Sequence, residues 1–228
     1  MLEVTSAVLG RIEKVLSRDE IARANRFFFV RDRQRFIVAR GFLRAIIGLY
    51  LECPPTVLRF DYGEHGKPFL SDSDAKSDMN FNLAHSAGLA IFGFTRKRAI
   101  GIDLEEIRHD IDADEIAKHF FSPNESHRLL SVPPIARTEA FFNCWTRKEA
   151  FIKAKGIGMS LPLDQFDVGF LPLEPARLLE TKWDQDECWR WSLRAIDVGR
   201  DYAAAVAVEG SDWQPSYWQA SHDVLFPQ

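Results

Sequence analysis

Apolar positions along this chain recur with two periods, and the switches between them mark out the elements. Residues 17–29 carry helical spacing. Residues 31–51 carry a longer run of it, with Phe36, Ile37, Phe42, Leu43, Ile46 and Ile47 on one face. Pro54-Pro55 breaks that run. A short strand is predicted from Val57 to Tyr62, a turn-rich loop from Gly63 to Pro68 and a polar loop from Ser71 to Asp78. Phe81–Ala84 and Leu89–Thr95 alternate and pair around a turn at Ser86-Ala87-Gly88. A strand end follows at 98–107, then helices at 112–120 and 123–131. A break at Pro133-Pro134 precedes a helix from Thr138 to Lys155, which Gly156 ends. Beyond it the period returns to two, at Gln165–Phe170, Trp189–Ala195 and Tyr202–Val208. The tail from Ser211 carries Trp213, Trp218 and Phe226 without a clear period, and no low-complexity tract interrupts the chain.

The strand at 98–107 holds the first candidate chemistry. Ile100, Ile102 and Leu104 alternate with Gly101, Asp103 and Glu105. Burying the first set projects both carboxylates from the opposite face, with Cβ atoms roughly 6–7 Å apart. Carboxylates that close repel unless a cation lies between them, and a hard cation such as Mg²⁺ takes oxygen ligands of this kind. A solvated acidic strand face is the plainer alternative.

The helix some forty residues further on holds the second. Phe141, Trp145, Lys148 and Ile152 form one stripe, and Phe142, Glu149 and Lys153 lie beside it. Glu149 and Lys153 are spaced for an ordinary surface ion pair. Lys148, however, falls inside the apolar stripe, where an ammonium must snorkel or meet an anion. A metal for Glu149 and a phosphate for Lys153 would serve the neighbouring charges.

Composition narrows the class. A chain of 228 residues, 46% hydrophobic, can bury a full core as one large domain or two small ones. The net charge of −4 argues against nucleic-acid binding by the whole surface. The charge is uneven, since Ile21 to Arg44 contains seven arginines and a single acid, Asp32. Three cysteines without a CxxC pair suit buried thiols in a reducing cytoplasm. No apolar run approaches a membrane span, and Met1–Gly10 lacks the pattern of a signal peptide.

Two echoes suggest an internal duplication. Ser17-Arg18-Asp19-Glu20 and Ser122-Pro123-Asn124-Glu125 both read S-x-x-E, a capping-box pattern, 105 residues apart. Phe36-Ile37-Val38-Ala39-Arg40-Gly41 echoes Phe151-Ile152-Lys153-Ala154-Lys155-Gly156 at an offset of 115. Two pseudo-equivalent α/β halves would then face each other across a cleft, a usual place for a ligand. His85 at a strand end and Lys67 in the Gly66-Lys67-Pro68 turn would suit phosphate or nucleotide contacts; each alone also reads as an ordinary structural or solvated side chain. No His/Cys spacing suits zinc, and neither a serine nucleophile elbow nor a phosphate-binding P-loop is present.

Taken in order, these segments resemble the 4′-phosphopantetheinyl transferases of the surfactin-synthetase type. The segments are Gly66-Lys67-Pro68, Phe81-Asn82-Leu83-Ala84-His85-Ser86, Gly101-Ile102-Asp103-Leu104-Glu105, Phe120-Phe121-Ser122, Trp145-Thr146-Arg147-Lys148-Glu149-Ala150 and Leu161-Pro162-Leu163. Each is weak alone, and the ordered set is specific. The resemblance implies an α+β, sandwich-like fold of two pseudo-symmetric α/β subdomains, monomeric, divided as 1–100 and 101–228 with the site at their interface. It implies transfer of the phosphopantetheine arm of coenzyme A to a serine of an apo acyl carrier protein or of a peptidyl or polyketide carrier domain. Adenosine 3′,5′-bisphosphate would be released.

The resemblance also assigns roles. Asp103, Glu105 and Glu149 would hold Mg²⁺. Lys153 and His85 would touch the coenzyme A phosphates, and Lys67 with its loop would lie along the nucleotide. Arg23 and Arg35 are favoured for the 3′-phosphate ahead of Arg40. Glu149, or a metal-bound water held by it, would take the serine proton, with Asp103 and Lys153 completing the catalytic group. No nucleic acid or membrane partner is expected. Departures exist: only Met1–Gly10 precedes the first predicted helix where relatives have an apolar strand, Ala84 stands where many carry a serine, and Glu20 where some carry a base. A metal-dependent hydrolase or two-carboxylate glycosidase using Asp103 and Glu149 would explain the acids but not Lys67, His85 and the arginines. An RNA-binding module using Arg23 to Arg44 would have to overcome the net acidity.

Overall fold

The computed structural model describes residues 2–71 and 78–226. The polar loop expected at 71–78 lies mostly outside the described residues. The chain begins with α1 (Ser6–Glu13), a helix that the apolar period did not announce, started by the Thr5 hydroxyl accepting from the Val8 N–H. Next come α2 (Arg18–Ala24) and α3 (Val30–Leu51). The helix expected at 17–29 stops at Ala24, because Phe27, Phe28 and Phe29 are not its buried face; Phe28 and Phe29 stand in solvent, and Phe29 is the extended residue that caps α3. The Pro54-Pro55 break is a single 3₁₀ turn at Pro55–Val57.

Two antiparallel hairpins follow. The short one joins β1 (Phe60–Tyr62) to β2 (Pro68–Leu70) through Gly66, whose φ of 77° admits the turn. The longer one joins β3 (Met79–Ser86) to β4 (Leu89–Arg96), turning at Ala87 and Gly88 as the sequence indicated. The acidic strand is β5 (Ile100–Glu106).

The second half repeats this order. After α4 (Ala113–Phe120) and α5 (Pro123–Leu130) comes α6 (Pro134–Lys155), which begins a turn earlier than its apolar stripe, with proline at its first position. Gly156 closes it at φ 71°, in the left-handed conformation. β6 (Phe166–Val168) pairs with β7 (Leu178–Thr181), and the one-turn α7 (Glu187–Arg190) precedes β8 (Trp191–Ala195) and β9 (Tyr202–Glu209). β5, β9 and β8 form one antiparallel sheet in that order. A last turn, α8 (His222–Leu225), places Phe226 against Phe42 of α3, with ring centroids 5.6 Å apart.

Both capping boxes form as read, on Ser17 with Glu20 and on Ser122 with Glu125. The second echo is corrected. Gly41 is buried mid-helix, where an added Cβ would meet Ile12, whereas Gly156 is a helix terminus. The structural repeat aligns α3 with α6 instead. Both have 22 residues, and their starts and ends are each 104 residues apart. The 115-residue match is a coincidence of composition.

α6 packs along β5 and β9, and the core on that side contains Ala150, Phe151, Ile152, Ala203, Ala205 and Ala207. The opposite face of the sheet, with Ile100, Ile102, Leu104, Val206 and Val208, meets Ala84 of the longer hairpin. β5 is therefore covered on both faces. The solvated strand face considered for Asp103 does not exist, and Asp103 is only 3% exposed.

Candidate active site

Gly101 sets the position of the site. A Cβ there would lie 2.1 Å from the Ala150 carbonyl oxygen and 2.2 Å from the Ala154 nitrogen. Only glycine lets β5 approach α6 this closely, and the approach brings Asp103 to Lys153. Lys153 Nζ donates to Asp103 Oδ1 at 2.6 Å. The helical pairing expected between Glu149 and Lys153 gives way to this contact across the two elements.

Three carboxylates feel one another's charge across this seam. Burial pushes the Asp103 carboxyl above its ordinary range, and Lys153 opposes the shift. Burial and then Asp103 raise Glu105, whose Oε2 accepts from the Ser86 hydroxyl at 3.2 Å. Burial, then Asp103 and Glu105, raise Glu149. Mutual repulsion of this kind marks a place that would hold a cation. Asp103 Oδ2 is buried without a hydrogen-bond partner, as a ligand oxygen awaiting a metal would be. Among the described residues no group of three His, Cys, Asp or Glu side chains is already arranged to hold a metal ion. The donor set fits a hard, oxygen-seeking cation, provided Lys153 yields Asp103 Oδ1.

A cleft of about 390 Å³ opens beside this seam, between the two halves. Arg23, Arg40, Lys67, His85, Glu149 and Lys153 all line it. Asp103 and Glu105 do not line it; Asp103 reaches it only through its contact with Lys153. Arg35 does not line the cleft: its Nη2 donates to the Ala87 carbonyl at 3.2 Å and pairs with Glu3 at 3.3 Å. The order expected among the arginines is thus rearranged, with Arg23 and Arg40 on the cleft wall. Arg23 lies 5.5 Å above the Phe36 ring and 5.7 Å above the Tyr62 ring, and Arg40 shares both rings.

Lys67 is placed differently from a free phosphate contact. Its ammonium donates to the carbonyls of Ile100, at 2.8 Å, and Lys153, at 2.7 Å. It thereby ties the first residue of β5 to the last turn of α6, and burial lowers its pKa to about 8. The loop it belongs to, from His65 to Pro68, forms a wall of the cleft. His85 projects from β3, and burial, Lys153 and Arg35 hold its imidazole below the ordinary value. A neutral imidazole offers a donor and an acceptor until an arriving anion favours its protonated form.

Sequence reasoning missed three contributors. Asn82 Oδ1 accepts from the Ile102 N–H at 2.8 Å and so ties the longer hairpin to β5. His65 packs against Gly158 and shapes the far wall. Glu20, buried beneath Arg40, is described below. Asn82 stands in a segment already singled out, and its place on an alternating strand beside His85 was the available signal.

Residues 99–207 match the family model described as the 4′-phosphopantetheinyl transferase superfamily, and residues 4–93 match one described as 4′-phosphopantetheinyl transferase, N-terminal. The 4′-phosphopantetheinyl transferase HetI of Nostoc sp. is 42% identical over 95% of this chain and 88% of its own length. A putative 4′-phosphopantetheinyl transferase of Synechocystis sp. is 39% identical, over 91% of this chain and 79% of its own. The 4′-phosphopantetheinyl transferase Sfp of Bacillus subtilis is 30% identical, over 94% and 92%. With identity this high over nearly the full length of both chains, this chain belongs to the 4′-phosphopantetheinyl transferase superfamily.

Proposed function

We propose that the cleft binds coenzyme A and that the protein transfers its 4′-phosphopantetheine arm to a serine of an apo acyl, peptidyl or polyketide carrier protein. The observation that carries this reading is the pair of charged groups on the cleft wall. Arg23 and Arg40 line it from the first half, and Glu149 and Lys153, the latter backed by Asp103, line it from the second. Coenzyme A carries anionic groups at two separated places, its 3′-phosphate and its pyrophosphate. The arginines suit the first and the carboxylate–lysine seam the second.

In this reading Mg²⁺ is held by Asp103, Glu105 and Glu149, and when bound it neutralises charge on the pyrophosphate. The protein's own groups do the rest. The serine oxygen attacks the phosphorus that bears the pantetheine arm. The bond from that phosphorus to the bridging oxygen breaks, and adenosine 3′,5′-bisphosphate departs with the electron pair. Glu149, or a water that it holds, accepts the serine proton. Lys153 stabilises the leaving phosphate from a half-buried position. His85 and the loop of Lys67 orient the nucleotide along the wall.

The reading includes a cytoplasmic monomer divided near residue 100. No helix among the described residues is long and apolar enough to cross a membrane. Intact mass of an apo acyl carrier protein, after incubation with this protein, coenzyme A and Mg²⁺, tests the proposal. The expected result is a phosphopantetheine-sized increase that EDTA abolishes. No increase on any of several carriers, from folded protein that also fails to bind coenzyme A, would overturn it.

A further inference from the structure

The two halves contain the same buried charge node, and its divergence assigns a residue. In the first half, Glu20 Oε2 accepts from the Ser17 N–H at 2.9 Å and from Arg44 Nε at 2.6 Å. Arg44 also donates to the carbonyls of Pro55 and Leu58, at 2.8 and 3.0 Å. In the second half, Glu125 Oε2 accepts from the Ser122 N–H at 3.2 Å and pairs with Lys148 Nζ at 2.7 Å. Lys148 also donates to the carbonyls of Leu163, at 2.7 Å, and Phe166. Capping carboxylate, long-helix cation and carbonyl pair correspond one for one.

The nodes differ at the other carboxylate oxygen. Glu125 Oε1 accepts from the Val168 N–H at 2.9 Å and from Cys144 Sγ at 3.6 Å. It is complete, and one anion meets one cation. Glu20 Oε1 has no hydrogen bond and faces Arg40 Nε at 3.4 Å. Arg40 stands one turn before Arg44, as Cys144 stands one turn before Lys148. One carboxylate thus serves two guanidiniums in a region where Glu20 is 1% exposed, Arg44 1% and Arg40 6%. The first-half node carries a surplus positive charge, and the second-half node carries none. A buried uncompensated charge is costly.

The surplus has a direction. Arg40 Nη2 donates to the Tyr62 hydroxyl at 3.1 Å, and its guanidinium lies against Phe36, Phe60 and Tyr62. Its Nη1 is buried without a partner, on a side chain that lines the cleft beside Arg23. We propose that Glu20 is a positioning residue: shared between Arg44 and Arg40, it fixes the Arg40 guanidinium so that its remaining N–H groups receive the phosphate monoester of the substrate. This rests on the coenzyme A reading above. The second half shows the same device left as pure structure.

The test compares coenzyme A with 3′-dephospho-coenzyme A in wild type, Glu20→Gln and Glu125→Gln, by transfer kinetics and thermal melting. The proposal expects Glu20→Gln to raise KM for coenzyme A about tenfold, the loss of one charge-assisted contact, with kcat little changed. It expects KM for the dephospho form to stay near that of wild type. Glu125→Gln should lower the melting temperature and leave the ratio of the two KM values as it is. Equal changes for both substrates in Glu20→Gln, or no change in the ratio, would overturn the positioning role even though wild type turns over. Should Glu20→Gln not fold, Glu20→Asp keeps the charge but withdraws it; it must show the same selective loss, and an unaltered ratio there counts equally against the proposal. A wild type that neither binds nor uses either substrate would overturn both this assignment and the coenzyme A reading.

Discussion

At Glu149 the electrostatic cost of the seam is visible in a single side chain. Burial and two neighbouring carboxylates disfavour its ionised form. Replacing it by glutamine removes that repulsion. Glu149→Gln should therefore lower transfer by about 10²- to 10⁴-fold while raising the melting temperature. Near-wild-type turnover, or a lower melting temperature, would show that the carboxylate has another role. Lys67 titrates in the opposite sense. Its folded pKa of about 8 lies below the ordinary 10.5, so between those values the unfolded chain binds more protons. Its contribution to stability thus rises with pH across that window and is level below pH 8. Denaturant midpoints of wild type and Lys67→Met should diverge in favour of wild type between pH 8 and 10.5. A constant difference would contradict the burial of the ammonium.

Between elements, the contact of β5 with α6 decides the geometry. Gly101→Ala forces a Cβ into the backbone of α6. It should cost roughly 1–3 kcal/mol and, by parting Asp103 from Lys153, reduce turnover more than stability alone explains. Urea unfolding beside single-turnover rates would separate the two effects. The same contact shows what could be read from the sequence. α3, α6, the longer hairpin and β5 were legible because each sustains one period over seven or more residues. Four elements of four or fewer residues, β2, β7, α7 and α8, left no such period, and strand pairing, capping and packing order them. Asp103, Glu149 and Lys153 were legible from spacing within one strand and one helix. The separation of Arg40 from Arg35 was not. Both lie on α3, and what distinguishes them is Glu20 from one side and Ala87 from another.

Across the whole molecule, the chain returns to where it started. Leu225 and Phe226 complete the core built from α1 and α3. Phe226→Ala should cost about 3 kcal/mol, since a buried ring is lost against Phe42, and calorimetry would show it. The duplicated halves were legible through their capping boxes, yet their register was misread by the second echo. Short matches of composition do not identify equivalent positions, whereas the partners of Glu20 and Glu125 do.

The acidic strand pairs on one edge with β9, about a hundred residues later in the chain. On a ribosome, which emits the sequence from one end, Asp103 leaves the exit tunnel long before Ala205, the residue it will lie beside. Until Tyr202–Glu209 has emerged, that edge of a nascent β5 has no partner, so the strand that carries Asp103 and Glu105 stays open there throughout the synthesis of α6 and of everything up to residue 201.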